Sequence, residues 1–377
     1  MEYLFWISLF LIFYTFLGYG ILLLVLVKVK RLFSKPAQRN SALPSCTVVV
    51  AAYNEEQFIE KKILNSLELD YPDLHFVFVS DGSSDRTPEI VNSYPQVKSF
   101  YEKERKGKIH AIHRIMQHVE TEVVVFTDAN TLLNREALLM ICRHYADPKV
   151  GSVAGEKRVH SDGTADATAG EGFYWKYESA LKKWDSELYS VVGAAGELFS
   201  IRRDLYEPVP SDSILDDFMI SMRIAEKGYR IVYEPEAYAA ETTSENVNEE
   251  LKRKIRIAAG GIQSIIRLKG LLYPSNPVLT FQYISHRVLR WTVTPFLLIL
   301  IFILSCVIAQ KDDQLVYQML LIAQILFYAA AIAGWRLAQQ QLKLKMLFIP
   351  YYFCLMNYAV LAGIFRYFLG EQSVLWE

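Results

Sequence analysis

Apolar residues in this chain are distributed in two different ways. Residues 1–27 are apolar almost throughout, with Glu2 as their one charge, and three further apolar stretches near 291–309, 315–335 and 346–365 close the chain. Each is close to or above the roughly 20 residues that a helix needs to cross a bilayer core. Between the first and second stretch the pattern breaks into short apolar runs divided by amphipathic segments and turn residues, the alternation of an α/β domain. Strands are expected at 46–52, 75–80, 97–101, 123–128, 150–154 and 229–233. Helices are expected at 55–69, from Asp85-Arg86-Thr87-Pro88 onward, at 108–119, and from Asp216 to a stop at Gly228. Residues 173–189 turn aromatic and irregular. Residues 248–268 interleave Lys252, Arg253, Lys254, Arg256 and Arg267 with leucines and isoleucines, as a helix lying at a lipid interface does.

This pattern divides the chain into a membrane helix (1–27), an α/β domain (44–245), interfacial helices (246–290) and three membrane helices (291–369). The first helix reads as a signal anchor, since no basic start or small-residue cleavage site accompanies it. Lys28, Lys30, Arg31, Lys35 and Arg39 follow it, and the positive-inside rule puts them, and the α/β domain, in the cytoplasm. Arg287 and Arg290 before the second span, Lys311-Asp312-Asp313 after it, and Arg336, Lys343 and Lys345 before the fourth agree. Both termini are then external, with Arg366 near the outer boundary.

Composition sharpens this picture. Apolar residues make up 52% of the 377 and mean hydropathy is positive, as an integral membrane protein requires. Forty basic against 41 acidic residues give no global field for nucleic acid. Cys46, Cys142, Cys306 and Cys354 are scattered without a CxxC pair, so reduced thiols are expected.

The candidate chemistry sits at strand ends. Asp81 closes the run Phe76-Val77-Phe78-Val79-Ser80, Asp128 closes Val123-Val124-Val125-Phe126-Thr127, and Asp216-Asp217 opens a helix. Carboxyl ends of parallel strands form the ligand crevice of an open sheet. Neither GxxxxGK[ST] nor GxGxxG is present, so phosphate would be handled through a divalent metal on a carboxylate. Asp128 with Asn130 two residues on fits a hard oxygen site for magnesium or manganese; Asp128 as a turn former is the other reading. Asp216 and Asp217 could equally cap their helix. His110, His113 and His118 share no tight face, so no zinc site is expected. The aromatic stretch could stack on sugar rings, fill a core or face the membrane.

In order along the chain stand Ala51-Ala52-Tyr53-Asn54-Glu55, Val79-Ser80-Asp81-Gly82-Ser83-Ser84-Asp85, Lys106-Gly107-Lys108, Thr127-Asp128-Ala129-Asn130 and Leu215-Asp216-Asp217-Phe218. Together they resemble the inverting family-two glycosyltransferases of GT-A fold, in particular the membrane-embedded branch with cellulose, hyaluronan, chitin and poly-N-acetylglucosamine synthases. The resemblance covers about residues 44–270, and Ser285-His286-Arg287-Val288-Leu289-Arg290-Trp291 is similar to the branch as well. It implies that Ala51, Tyr53 and Glu55 line a nucleotide pocket, that Asp81 meets the base or ribose of a nucleotide-sugar such as a UDP-sugar, and that Asp128 ligates Mg2+ or Mn2+. It implies that Lys108 and Arg256 serve the phosphates or sugar, that Gly193, Gly196, Glu197 and Asp216 face the acceptor, and that Asp217 is the catalytic base. Where the processive synthases carry Gln-x-x-Arg-Trp, this chain has Arg253-Lys254-Ile255-Arg256-Ile257, without the glutamine and tryptophan. That departure and the three closing spans speak against a self-made export channel.

The expected activity is transfer of a sugar to a membrane-held acceptor, a lipid-linked saccharide or a nascent surface polysaccharide, with membrane lipids and export or assembly proteins as further partners. A processive synthase, transfer to a polyprenyl phosphate, and a non-catalytic subunit of an export machine are the alternatives. A Rossmann dehydrogenase and a transporter are disfavoured, by the missing glycine fingerprint and by the few polar residues in the spans.

Overall fold

The computed structural model describes residues 1–33, 42–160, 169–242, 247–311, 314–340 and 344–371. Lys35, Arg39, Asp312, Asp313 and Lys343 lie outside the described residues, as do the side chains of Phe173 and Tyr174.

Eight strands form one mixed sheet: β1 (Cys46–Ala52), β2 (Leu74–Asp81), β3 (Lys98–Glu102), β4 (Val123–Asp128), β5 (Leu132–Leu133), β6 (Val150–His160), β7 (Leu198–Arg202) and β8 (Arg230–Thr242), in the order β3-β2-β1-β4-β7-β6-β8-β5. The half β3-β2-β1-β4 is parallel, with Ala51 opposite both Val79 and Asp128, so three strand ends that carry predicted site residues lie side by side. β7 runs antiparallel to β4 with Leu198 opposite Thr127, which delivers the preceding Gly196-Glu197 to the same end. Helices cover both faces. Ile59, Ile63, Val48 and Val50 pack on one side and Ile112, Ile115, Val49 and Phe126 on the other, all at 3% exposure or less. Each such buried side chain contributes about 1.5–3 kcal/mol.

Several boundaries differ from the sequence reading. The helix expected at 55–69 is Ile59–Leu67, because Asn54 at φ 53° and the hydrogen bond from Glu55 N–H to Thr87 Oγ1 hold 54–58 as a turn. The helix expected at 108–119 stops at Met116. β6 and β8 run on past 154 and 233, since their parallel ladder resumes after a bulge at Gly155/Glu156. The stretch taken as irregular is a helix, Ala169–Leu188. Its aromatics hid an acidic stripe: Asp185 accepts from Tyr19, Gln282 and His286, and Glu178 takes His286, Arg287 and Arg290.

Among the described residues, four helices are long and apolar enough to cross a membrane: Glu2–Phe33, Val293–Lys311, Leu315–Gln339 and Met346–Leu369. The first contains a π turn, Tyr14–Gly18, that meets a second π turn, Ile284–Val288, through Tyr14 and Ser285 at 2.8 Å. Lys30 and Arg31 do more than mark a membrane side. Lys30 donates to the carbonyls of Glu187 and Leu188 and Arg31 to the Glu187 carboxylate, docking the first helix on the carbonyl end of Ala169–Leu188.

The basic helix is Val247–Arg267. It packs along Lys345–Leu369, so closely that a Cβ on Gly363 would meet the Ile255 carbonyl at 2.7 Å. Lys254 is 9% exposed, so part of the helix's cationic face is turned to protein, while Lys252 and Ile266 are exposed.

Candidate active site

A cavity of about 850 Å³ opens where β1, β2 and β4 end, and it is lined by Ala51, Tyr53, Glu55, Asp81, Lys108, Asp128, Asn130, Gly193, Gly196, Glu197, Asp216, Asp217 and Arg256. The structure therefore brings all the sequence-predicted site residues into one space.

Asp81 is 4% exposed at the end of β2. Its Oδ2 accepts from the N–H of Lys106 (3.1 Å) and Gly107 (2.6 Å), while Oδ1 has no hydrogen-bond partner although buried. A buried, unpartnered carboxylate oxygen costs stability unless a ligand N–H or O–H reaches it. Beside it the Arg105 guanidinium stacks on the Tyr53 ring, 3.6 Å from its centroid. A flat slot with an acceptor at one edge suits a base or ribose.

Asp128 stands at the centre. Its Oδ1 takes the Lys108 ammonium at 2.6 Å, and the same ammonium is 4.0 Å from Asp216. A Cβ built on Gly196 would lie 3.5 Å from Asp217 Oδ2, 3.6 Å from Lys108 Nζ and 3.8 Å from Asp128 Oδ2, so three carboxylates and one lysine surround that turn. Gly193, at φ +87°, holds the turn where the Phe218 ring leaves no room for a side chain. Burial and the neighbouring Asp216 push the Asp217 carboxyl up to about 7. Burial also raises Asp128, against the pull of Lys108. Glu55 rises to about 7 through burial and the nearby Asp128 and Asp85. Glu197 goes the other way: burial opposes ionisation, but the Lys157 ammonium at 2.7 Å prevails and holds it at about 2.

Among the described residues, no three His, Cys, Asp or Glu side chains are grouped to hold a metal by themselves. The donor set that is present, Asp128 with Asn130 exposed beside it, suits a hard cation that takes its remaining ligands from phosphate and water. His110, His113 and His118 converge on no such centre.

Sequence reasoning missed several residues that shape the site. Lys62 is fully buried under the 127–131 turn and donates to Thr127 Oγ1 (2.9 Å) and the Thr131 carbonyl (2.7 Å). On its helix it reads as an ordinary surface lysine. Lys157 and Glu178 lie where β6 and the helix Ala169–Leu188 were not expected.

Comparison with known proteins fits this geometry. Residues 47–209 match the sequence profile described as Glycosyl transferase family 2. A poly-beta-1,6-N-acetyl-D-glucosamine synthase of Staphylococcus aureus (strain COL) is 26% identical over 240 residues, 62% of this chain and 58% of that protein. Its counterpart in Staphylococcus epidermidis is 25% identical over 226 residues, 58% of this chain and 55% of that protein. The match thus spans under three fifths of the length of these curated relatives. The structure of a mannosyltransferase from Pyrobaculum calidifontis, in complex with GDP-Man and Mn2+, superposes with a TM-score of 0.73 at 26% identity, covering 98% of this chain and 100% of that one. Residues 47–209, which run from β1 to β7 and carry Asp81 and Asp128, thus match the glycosyl transferase family 2 profile, and the chain shares the fold of the mannosyltransferase.

Proposed function

We propose that the chain transfers a sugar from a nucleotide-sugar to a membrane-held acceptor, with inversion at the anomeric carbon. The observation that carries this reading is the convergence of Asp217, Asp128 and Lys108 on the Gly196 turn, each within 3.8 Å of a Cβ built there. One carboxylate faces the acceptor side, while a cation and a second carboxylate face the donor side. The base lies against Tyr53 with Asp81 Oδ1 accepting from it, and the diphosphate lies at Lys108 and Arg256. Asp217 takes the proton of an acceptor hydroxyl as that oxygen attacks the face opposite the leaving diphosphate, and a carboxyl near 7 suits a base working at neutral pH. Asp128 and Asn130 would hold Mg2+ or Mn2+, which supplies positive charge to the departing diphosphate. Lys108, which donates to Asp128 at 2.6 Å, would add a second positive charge for the same phosphates. No second nucleophile is required.

Single-displacement geometry, a cytoplasmic active site and external termini belong to this proposal. The positive flanks of the spans and the complex of the mannosyltransferase neighbour support it. A processive synthase is the second reading, favoured by the names of the curated relatives. Product length under donor excess separates the two.

The test is nucleotide release by the detergent-purified protein across UDP-, GDP- and other nucleotide-sugars, with manganese, magnesium or chelator, and with membrane extract as acceptor source. Release from one donor that depends on metal and extract is expected. Silence across the panel from folded protein would overturn the transferase reading in favour of a non-catalytic role.

A further inference from the structure

The cavity does not stop at the acceptor turn. Past Glu197 it continues along Lys157, which bridges Glu197 and Glu241, to Arg253, which lies 3.9 Å from Glu241 and 3.2 Å from Glu250, and to Lys254, 3.2 Å from Glu250 and 5.3 Å from the Trp175 ring. It ends among Phe16, Phe348, Phe353, Met356 and Val360, side chains of two helices long enough to span a membrane. Phe16 and Phe353 are in edge contact at 4.9 Å, and the Tyr177 hydroxyl donates to the Phe16 carbonyl.

Charge changes sign along this path. Around the nucleotide end, Glu55, Asp81, Asp128, Asp216 and Asp217 face Arg105, Lys108 and Arg256. Beyond Glu197, among the described residues, the six cations Lys157, Lys182, Arg253, Lys254, Arg287 and Arg290 face Glu178, Glu197, Glu241 and, behind them, Glu250. Glu178 alone serves Arg287 at 3.0 Å, Arg290 at 2.9 Å and His286 at 3.1 Å. Lys157 and Lys254 are both more than nine-tenths buried beside Glu197, Glu241 and Glu250, a low-dielectric wall in which a bound anion is held more strongly than in water; the surplus charge lies on Lys182, Arg287 and Arg290.

We propose that the acceptor is a saccharide carried on a lipid phosphate, its hydrocarbon chain lying between Phe16, Phe353 and Met356 and its phosphate on Lys157, Arg253 and Lys254. This rests on the transferase reading and chooses within it: a neutral polysaccharide would use neither the cationic excess nor the apolar end. Phosphate oxygens join the carboxylates of Glu197, Glu241 and Glu250 on these three cations, with the surplus positive charge supplied by Lys182, Arg287 and Arg290 beside Glu178, and the saccharide lies back toward Gly196 and Asp217.

Binding to the full chain in detergent, with manganese and saturating UDP or GDP to fill the nucleotide end, tests the proposal. The probes are farnesyl phosphate, farnesol, inorganic phosphate and a neutral oligosaccharide, followed by Trp fluorescence and calorimetry. Farnesyl phosphate is expected to bind at least about tenfold more tightly than each of the other three, the worth of one charge-assisted hydrogen bond. Arg253→Gln and, separately, Lys182→Gln should shrink that preference while nucleotide affinity stays within about twofold. Equal binding of farnesol and farnesyl phosphate overturns the phosphate site, equal binding of inorganic phosphate overturns the lipid, and tighter binding of the oligosaccharide returns the cavity to a growing polysaccharide. The wild-type comparison needs no variant to fold. Nucleotide binding that persists while farnesyl phosphate fails sinks this inference alone; loss of both sinks the transferase reading.

Discussion

The two ends of the cavity solve opposite electrostatic problems with the same kinds of side chain. At the nucleotide end carboxylates exceed cations, and burial leaves Asp217 and Glu55 near neutrality in pKa. At the other end cations exceed carboxylates, and Glu197 is held ionised at about 2 by Lys157. The difference teaches that a buried carboxylate is a base or a counter-ion according to its nearest cation. Asp217 has Lys108 shared among three acids, whereas Glu197 has Lys157 at 2.7 Å. An end short of cations suits a metal and proton transfer, and an end rich in them suits a fixed anion.

The comparison breaks first at Asp217. Asp217→Asn should lower turnover about 1000-fold, within the range typical of a general base, while nucleotide affinity changes less than threefold. Unchanged turnover in a rate assay would return Asp217 to helix capping. Asp128→Ala should weaken nucleotide binding in manganese roughly 100-fold and leave binding in chelator nearly as it was; calorimetry with and without metal reads this directly. A smaller effect follows from the sign of the Asp217 shift. Its carboxyl is raised to about 7 and works when ionised, so the wild-type rate should climb about tenfold per unit up to pH 7 and level off above it. A profile flat from pH 5 to 8 would remove burial as the tuning device. The smallest effect belongs to the far end: Trp175→Ala loses the ring under Lys254 and should raise the acceptor KM a few fold with the nucleotide KM unchanged.

The nucleotide end was legible in the sequence because its residues sit at strand ends, where short apolar runs stop at a charged residue. Asp81 and Asp128 needed only the apolar runs before them, and Asp217 a helix start. The far end was not legible, for a physical reason. Arg253 and Lys254 show helical periodicity on a cationic face, and a headgroup layer and a buried carboxylate ladder call for the same pattern. The helix Ala169–Leu188 has apolar, aromatic and charged residues on every side because it touches sheet, cavity and first span at once, so no single stripe marks it. Lys62 gave no signal because a lysine's long stem lets its ammonium reach Thr127 and Thr131 from a position that otherwise looks solvent-facing.

Docking of the first helix also bears on how the molecule is made. Tyr19 and Asp185 are 166 residues apart, Arg31 and Glu187 are 156 apart, and Trp6 donates to Tyr317, 311 residues on. During synthesis the first span enters the bilayer long before any of these partners has been translated, and its polar groups wait there unpaired. The sheet's ladder lies between Cys46 and Thr242, but the core on one of its faces is completed by Ile262, Ile265, Leu268, Leu279, Tyr283 and Trp291, and the cavity acquires its Phe16 wall only when the first helix and the sheet meet. The substrate path is therefore finished last, by segments from both ends of the chain closing on a sheet already translated.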